Sequence, residues 1–172
     1  MITALGHTDL TADTWELVRA ELRKSLEGLP DDTTGLVRAG AGLPLLFGRV
    51  IREAGQRLVV LLPERSGVFA GVPPRDRAAH RELLALAEGI RMLPFDPLDR
   101  DACVSADEQL VSGCGRLLAV WDGSPSSGRD ATAHMVAYAR ARGIPVEVVW
   151  PAGAAREHAG PALSLSARAP GR

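Results

Sequence analysis

Residues Ala119–Gly143 read AVWDGSPSSGRDATAHMVAYARARG. The segment begins in an apolar run, crosses a loop of Gly, Ser and Pro, and ends in a stretch with helical spacing. A nucleotide-binding strand-loop-helix unit reads this way, with the loop glycines letting a backbone approach an anion at the helix start. Where such a unit carries a glycine pair, this chain has Asp130 and Ala131.

Working outward, the same alternation repeats along the chain. Strands are expected at Met1–Leu5, Thr34–Arg38, Arg57–Leu62, Ile90–Leu93, Arg116–Trp121 and Pro145–Trp150. Helices are expected at Asp13–Leu26, Leu43–Ala54, Pro73–Glu88, Arg100–Val111 and Thr132–Arg142. In the first helix Trp15, Val18, Leu22 and Leu26 share one face, with charged residues between them. The continuous apolar run of QRLVVLLPE suits a strand covered on both faces of a parallel sheet. The fold class is therefore α/β: a Rossmann-like, doubly wound, mainly parallel sheet of about six strands flanked by helices.

The 172 residues favour one domain with a real core. That domain is expected to span residues 1–151. Residues 152–172, rich in Ala, Gly, Pro and Arg, read as a mobile tail, because so little apolar surface cannot offset the ordering entropy. A net charge of −1 with scattered arginines argues against nucleic acid as a partner. No apolar run reaches the ~18 residues of a membrane span, and the N-terminus lacks a signal-peptide pattern. The expected location is the cytoplasm. Cys103 and Cys114 form no CxxC pair, so two reduced thiols are expected and no metal site. No P-loop, GxGxxG or Ser-His-Asp order is present, and no cofactor is indicated.

In such a sheet, ligands bind at the carboxyl ends of the strands. Three loops fall there. Gly6, His7 and Asp9 follow the first strand, Gly40 and Gly42 the second, and Asp122, Gly123, Gly128, Arg129 and Thr132 the RLLAVW strand. These ten residues are the candidate ligand contacts. Asp122 suits a ribose hydroxyl or a loop cap, and Thr132 a helix N-cap or a phosphate contact. Asp9 and Asp122 are the weak catalytic candidates. His80 and His134 are expected at the surface of helices, and Trp121 in packing.

GHTDL, AGAGLPLLF, VVLLPE, AVWDG and AHMVAYARARGIPVEVVWP together resemble small bacterial SLOG-like proteins. That Rossmann-like superfamily includes the LOG phosphoribohydrolases and the DNA-processing protein Smf/DprA. The resemblance runs from about Ile2 to Pro151. It implies a nucleotide-derived ligand held by the glycine-rich segment before the last helix.

The departures limit what it implies. The Arg of a GHRDL pattern is Thr8, the Asp of a GAD pattern falls at Pro44, and the Gly pair of GGTAD falls at Asp130 and Ala131. Two like charges at ~4 Å repel by about 4 kcal/mol at an effective dielectric of 20, so Asp130 opposes a phosphate there. Arg129 alongside offsets part of this. In SGRDATAHM no glutamate stands where LOG enzymes carry theirs, which disfavours a phosphoribohydrolase.

The leading expectation is a non-catalytic or weakly catalytic protein that binds a small nucleotide-derived ligand, in a sensor or regulatory role. The alternatives are a nucleotide N-glycosidase and an interaction or scaffold protein with a dead pocket. A homodimer through helical faces is compatible with the first and the last.

Overall fold

The structure, a computed structural model, describes residues 1–127 and 130–157. The apolar runs form strands β1 (Ile2–Gly6), β2 (Thr34–Arg38), β3 (Arg57–Arg65), β4 (Val68–Phe69), β5 (Gly89–Pro94), β6 (Arg116–Val120) and β7 (Val146–Val148). Between them lie helices α1 (Ala12–Leu26), α2 (Leu43–Glu53), α3 (Arg77–Leu86), α4 (Arg100–Ser112) and α5 (Thr132–Ala141). Strands β3, β2, β1, β6 and β7 lie side by side in that order, all parallel, and β5 joins β3 in parallel. The chain runs outward from β1 to β5 and then returns to β6 on the other side of β1. The gap above β1 and β6 is the switch point where such sheets hold ligands.

Alternating side chains divide the core into two layers. Leu58, Val60 and Leu62 of β3 pack with Val18 and Leu22 of α1, Phe47 and Ile51 of α2, and Leu83 of α3. Val59 and Leu61 point the other way, into a cluster with Leu110 and Val111 of α4 and Val136 and Ala139 of α5. Three helices thus cover one face and two the other, so the central strands can be apolar throughout.

Helix starts follow from local chemistry. The Thr11 side chain accepts the Thr14 N–H at α1, and Asp99 accepts from Asp101 and Ala102 at α4. Gly42 caps α2 at φ +71°, a region that favours glycine, and Pro44 sits in the first turn.

The structure departs from the sequence reading in four places. The third helix is shorter than Pro73–Glu88: a 3-10 turn at Pro74–Asp76 precedes α3, because Pro73 and Pro74 offer no N–H to a ladder. Strand β3 runs past Leu62 through Pro63 to Arg65, then turns back through Ser66 (φ 54°) and Gly67 (φ 80°) into β4, which pairs antiparallel with β3. The sheet therefore has seven strands. His80 lies buried at 8% exposure, stacked against Phe69 of that hairpin.

Residues 152–157, read as the start of a tail, pack against the domain. The Ala155 carbonyl accepts from Thr11 N–H at 3.2 Å and Thr14 Oγ1 at 3.0 Å, and Glu157 N–H donates to the Asp9 carbonyl at 2.7 Å. Backbone bonds hold this segment, and composition does not encode them. Residues 158–172 lie outside the described residues.

Candidate functional site

The site is built at the carboxyl ends of β1, β2 and β6. Strand β1 ends at Gly6, where a Cβ would lie 2.2 Å from the Val120 carbonyl oxygen of β6. Glycine here lets the two strands stay together, and His7 N–H then donates to the same carbonyl at 3.0 Å. Gly6→Ala is expected to destabilise the protein by about 1–3 kcal/mol, because backbone must move. Urea unfolding measures this, and an unchanged midpoint would contradict it.

The His7 side chain is buried at 1% exposure, with a carboxylate at each ring nitrogen. Nδ1 faces Asp130, and Nε2 faces Asp122 Oδ1 at 2.8 Å. Both nitrogens must carry protons for both contacts to be hydrogen bonds. The Asp122 N–H also lies 3.2 Å from Nε2, but an accepting Nε2 would set a lone pair against the nearer carboxylate. The two carboxylates therefore favour the doubly protonated ring. Burial works against its charge, and the bonds to Asp130 and Asp122 outweigh burial and raise its pKa. The edge of Trp150 closes the site, with ring centroids 5.7 Å apart.

Asp130 stands at the N-terminus of α5. Its Oδ1 accepts the Thr132 N–H at 2.8 Å and the Thr132 hydroxyl at 2.6 Å, while Oδ2 faces His7 and Arg156 Nη2, the latter at 3.2 Å. Burial opposes the charge, but the bonds from His7 and Thr132 hold this carboxyl well below the usual range. Free N–H groups and the helix dipole make this end of a helix an anion position. A side chain of the protein itself fills it.

Arg156, from the segment beyond β7, ties the cluster together. Its Nε and Nη2 donate to Asp9 at 2.9 Å and 3.0 Å, and Nη1 lies 3.7 Å from Asp122. The Asp9 pairing raises its pKa despite desolvation. Burial also opposes the charge of Asp122, but bonds from Ser124 and His7 lower its pKa to about 2. Three carboxylates thus face two cations.

The pH dependence follows from these directions. The raised His7 pKa contributes stability below its unfolded value of about 6.5, and that contribution is lost as pH rises through the folded value. The depressed Asp122 and Asp130 contribute above about pH 4 and lose it as pH falls through their folded values. The joint contribution of these three groups should therefore peak between about pH 4 and 6.5, and His7→Gln should remove its share of the alkaline decline. Denaturant midpoints across pH check this; an unaltered alkaline limb in the variant would contradict it.

Beside the network opens a cleft of about 210 Å³, lined by Gly6, Thr8, Arg38, Pro44, Arg100, Asp107, Asp130 and Thr132 among others. Arg38, at the end of β2, donates to both Asp107 oxygens at 2.7 Å and 3.1 Å. Arg100, the first residue of α4, is half exposed at the rim and donates to the Ser127 carbonyl at 3.1 Å.

Of the residues singled out in the sequence, Gly6 and Thr132 line this cleft. His7, Asp9 and Asp122 belong to the neighbouring network, and Asp130 to both. Gly40 lies near the Pro44 ring, Gly42 against Trp15, and Gly123 in an open turn; none of the three lines the cleft. Gly128 and Arg129 lie outside the described residues. The catalytic candidates Asp9 and Asp122 are committed to Arg156 and His7. Arg38, Arg100 and Asp107 were missed, although Arg38 carried a signal, a charge at the carboxyl end of a strand. Among the described residues, no group of three or more His, Cys, Asp or Glu is placed to hold a metal, and no helix is long and apolar enough to cross a membrane.

No family model matches the chain, and no curated protein matches it. Among solved structures, DNA processing protein A (DprA) from Streptococcus pneumoniae superposes with a TM-score of 0.61 at 10% identity, over 86% of this chain and 49% of that one. The chain spans about half the length of that protein and shares its Rossmann-like fold, the fold expected from the SLOG resemblance. The uncharacterized protein ATU2773 from Agrobacterium tumefaciens C58 aligns at 14% identity over 86% of this chain and 61% of that one, with a TM-score of only 0.23.

Proposed function

We propose that the protein binds a small nucleotide-derived ligand in the cleft above β1, β2 and β6 and does not cleave it. The observation that carries this reading is the Asp130 carboxylate at the α5 N-terminus, directly beside an open cleft. The cleft supplies a half-exposed cation in Arg100, held only by the exposed Asp101 and the Ser127 carbonyl, and a hydroxyl from Thr8, while Asp130 takes the Thr132 hydroxyl and the helix end that would grip a phosphate. A ligand would therefore place its charge toward Arg100 at the rim and its sugar or base inside. The volume of about 210 Å³ lies below the ~300–1,000 Å³ of sites that enclose a drug-sized molecule, which favours a mononucleoside-sized group over a dinucleotide.

Binding without turnover is supported by the carboxylates. Asp9, Asp107, Asp122 and Asp130 are each paired with a cation, which leaves none of these four free to activate water or to stabilise a ribose cation.

The test is thermal unfolding with nucleoside monophosphates, cyclic dinucleotides, guanosine tetraphosphate, NAD and ADP-ribose. One of them, at about 100 times its Kd, should raise Tm by about 5 °C or more. Arg100→Ala should reduce that rise, and incubation should release no free base. A flat response across the panel would sink the reading in favour of an interaction protein. Release of ribose 5-phosphate, lost in Asp122→Asn, would replace it with the glycosidase reading.

A further inference from the structure

A second cleft lies further along the carboxyl side of the sheet, beyond β3, between the β4 hairpin and the start of α3. It measures about 440 Å³ and is lined by Phe69, Gly71, Val72, Arg77, His80 and Arg81. We propose that it is a second ligand site, taking a small anion that carries a flat ring.

The first support is charge. Arg77 and Arg81 are four residues apart on α3, so their guanidinium groups stand on one side of the helix. The lining includes no carboxylate. Neither arginine has an ion-pair partner among the described residues. The acids nearby are taken: Glu82 of α3 pairs with Arg49 of α2, and Glu88 with Arg52. Arg65 at the end of β3 pairs with Asp96. Two cations thus remain uncompensated at one cleft, while their neighbours are matched.

The second support is the floor. His80 is more than nine-tenths buried, yet it lines the cleft, and its Nδ1 has no hydrogen-bond partner. A buried polar atom left unsatisfied costs stability, and because Nδ1 is itself enclosed, a ligand group in the cleft would satisfy it only with a small shift of the ring. Burial lowers the pKa of His80, which leaves the ring neutral and able to donate from one nitrogen and accept at the other.

The third support is the wall. Phe69 lies parallel to His80, with an interplanar angle of 7° and centroids 5.3 Å apart, and 43% of Phe69 remains exposed. That spacing is too small to admit a ring between the two. The exposed surface of Phe69, continued by Val72, is where a planar group would lie, with its anionic substituent reaching Arg77 and Arg81.

Phenyl phosphate is the probe, followed through the ring resonances of the histidines in the intact chain. Saturable movement of the His80 signals, with those of His7 unmoved, is the expected result. The double substitution Arg77→Ala/Arg81→Ala removes exposed side chains and should weaken binding by about tenfold or more. Lys24→Ala, which removes an exposed cation of α1 far from both clefts in the chain, should leave the affinity unchanged. Still His80 signals, or equal binding by the double variant, would overturn the proposal. Equal affinity for inorganic phosphate would overturn its aromatic half.

Discussion

Asp130→Ala is expected to cost about 3 kcal/mol of stability, the largest loss for any single side chain at the site. The carboxylate is 13% exposed and meets His7, Arg156 and Thr132 at once. Its removal leaves a buried imidazolium with one carboxylate in place of two and takes the acceptor from the first turn of α5. Losing such a cap alone costs about 1 kcal/mol, and stranding a buried charge costs more. For a domain of this size the Tm should fall by roughly 10 °C. Arg49→Ala breaks an exposed pair with Glu82 and serves as the control, with little movement of the midpoint. A loss for Asp130→Ala no larger than that of the control would show that the network is not a unit.

Arg156→Ala comes second, at about 2–3 kcal/mol. The guanidinium is 22% exposed and is shared by Asp9, Asp122 and Asp130. Without it three carboxylates are left with His7 as their only cation within the network. The loss has a pH signature. Its benefit depends in part on ionised Asp122 and Asp130, so that part is fully present above about pH 4 and fades as pH falls through the depressed folded values of these two carboxyls. Paired denaturant curves at two pH values test this, and a pH-independent loss would point to packing in place of charge. Truncation tests the placement of residues 152–157: a chain ending at Pro151 and as stable as the whole would contradict it.

Most of the fold was legible because burial is periodic. The strand at Thr34–Arg38 and the starts of α2, α4 and α5 fall where apolar spacing and capping residues put them. β4 was not legible, since two exposed residues carry no pattern and its pairing depends on Ser66 and Gly67 adopting positive φ. His80 was misplaced because the hairpin that covers it was unseen.

At the site, the loops were legible but the roles within them were not. Gly6, a candidate ligand contact by its place after the first strand, also makes room for the Val120 carbonyl of β6. Asp130 was read as an obstacle to phosphate, which is half of its role. The other half needs His7 from 123 residues away and Arg156 from beyond the last strand. Neither pairing leaves a trace in local sequence. Arg156 lay in a stretch whose composition resembles a tail, so its place among three aspartates appears only in three dimensions.

The Asp130 carboxylate occupies the anion position at the head of α5. Thermal unfolding of the wild-type protein and of Asp130→Ala, each with and without about 10 mM inorganic phosphate, tests it most directly. The expected result is a rise several degrees larger in the variant than in the wild type. In the variant His7, Arg156 and the Thr132 N–H would receive the ion in place of the side chain. An equal rise in both proteins, or none in the variant, would contradict it.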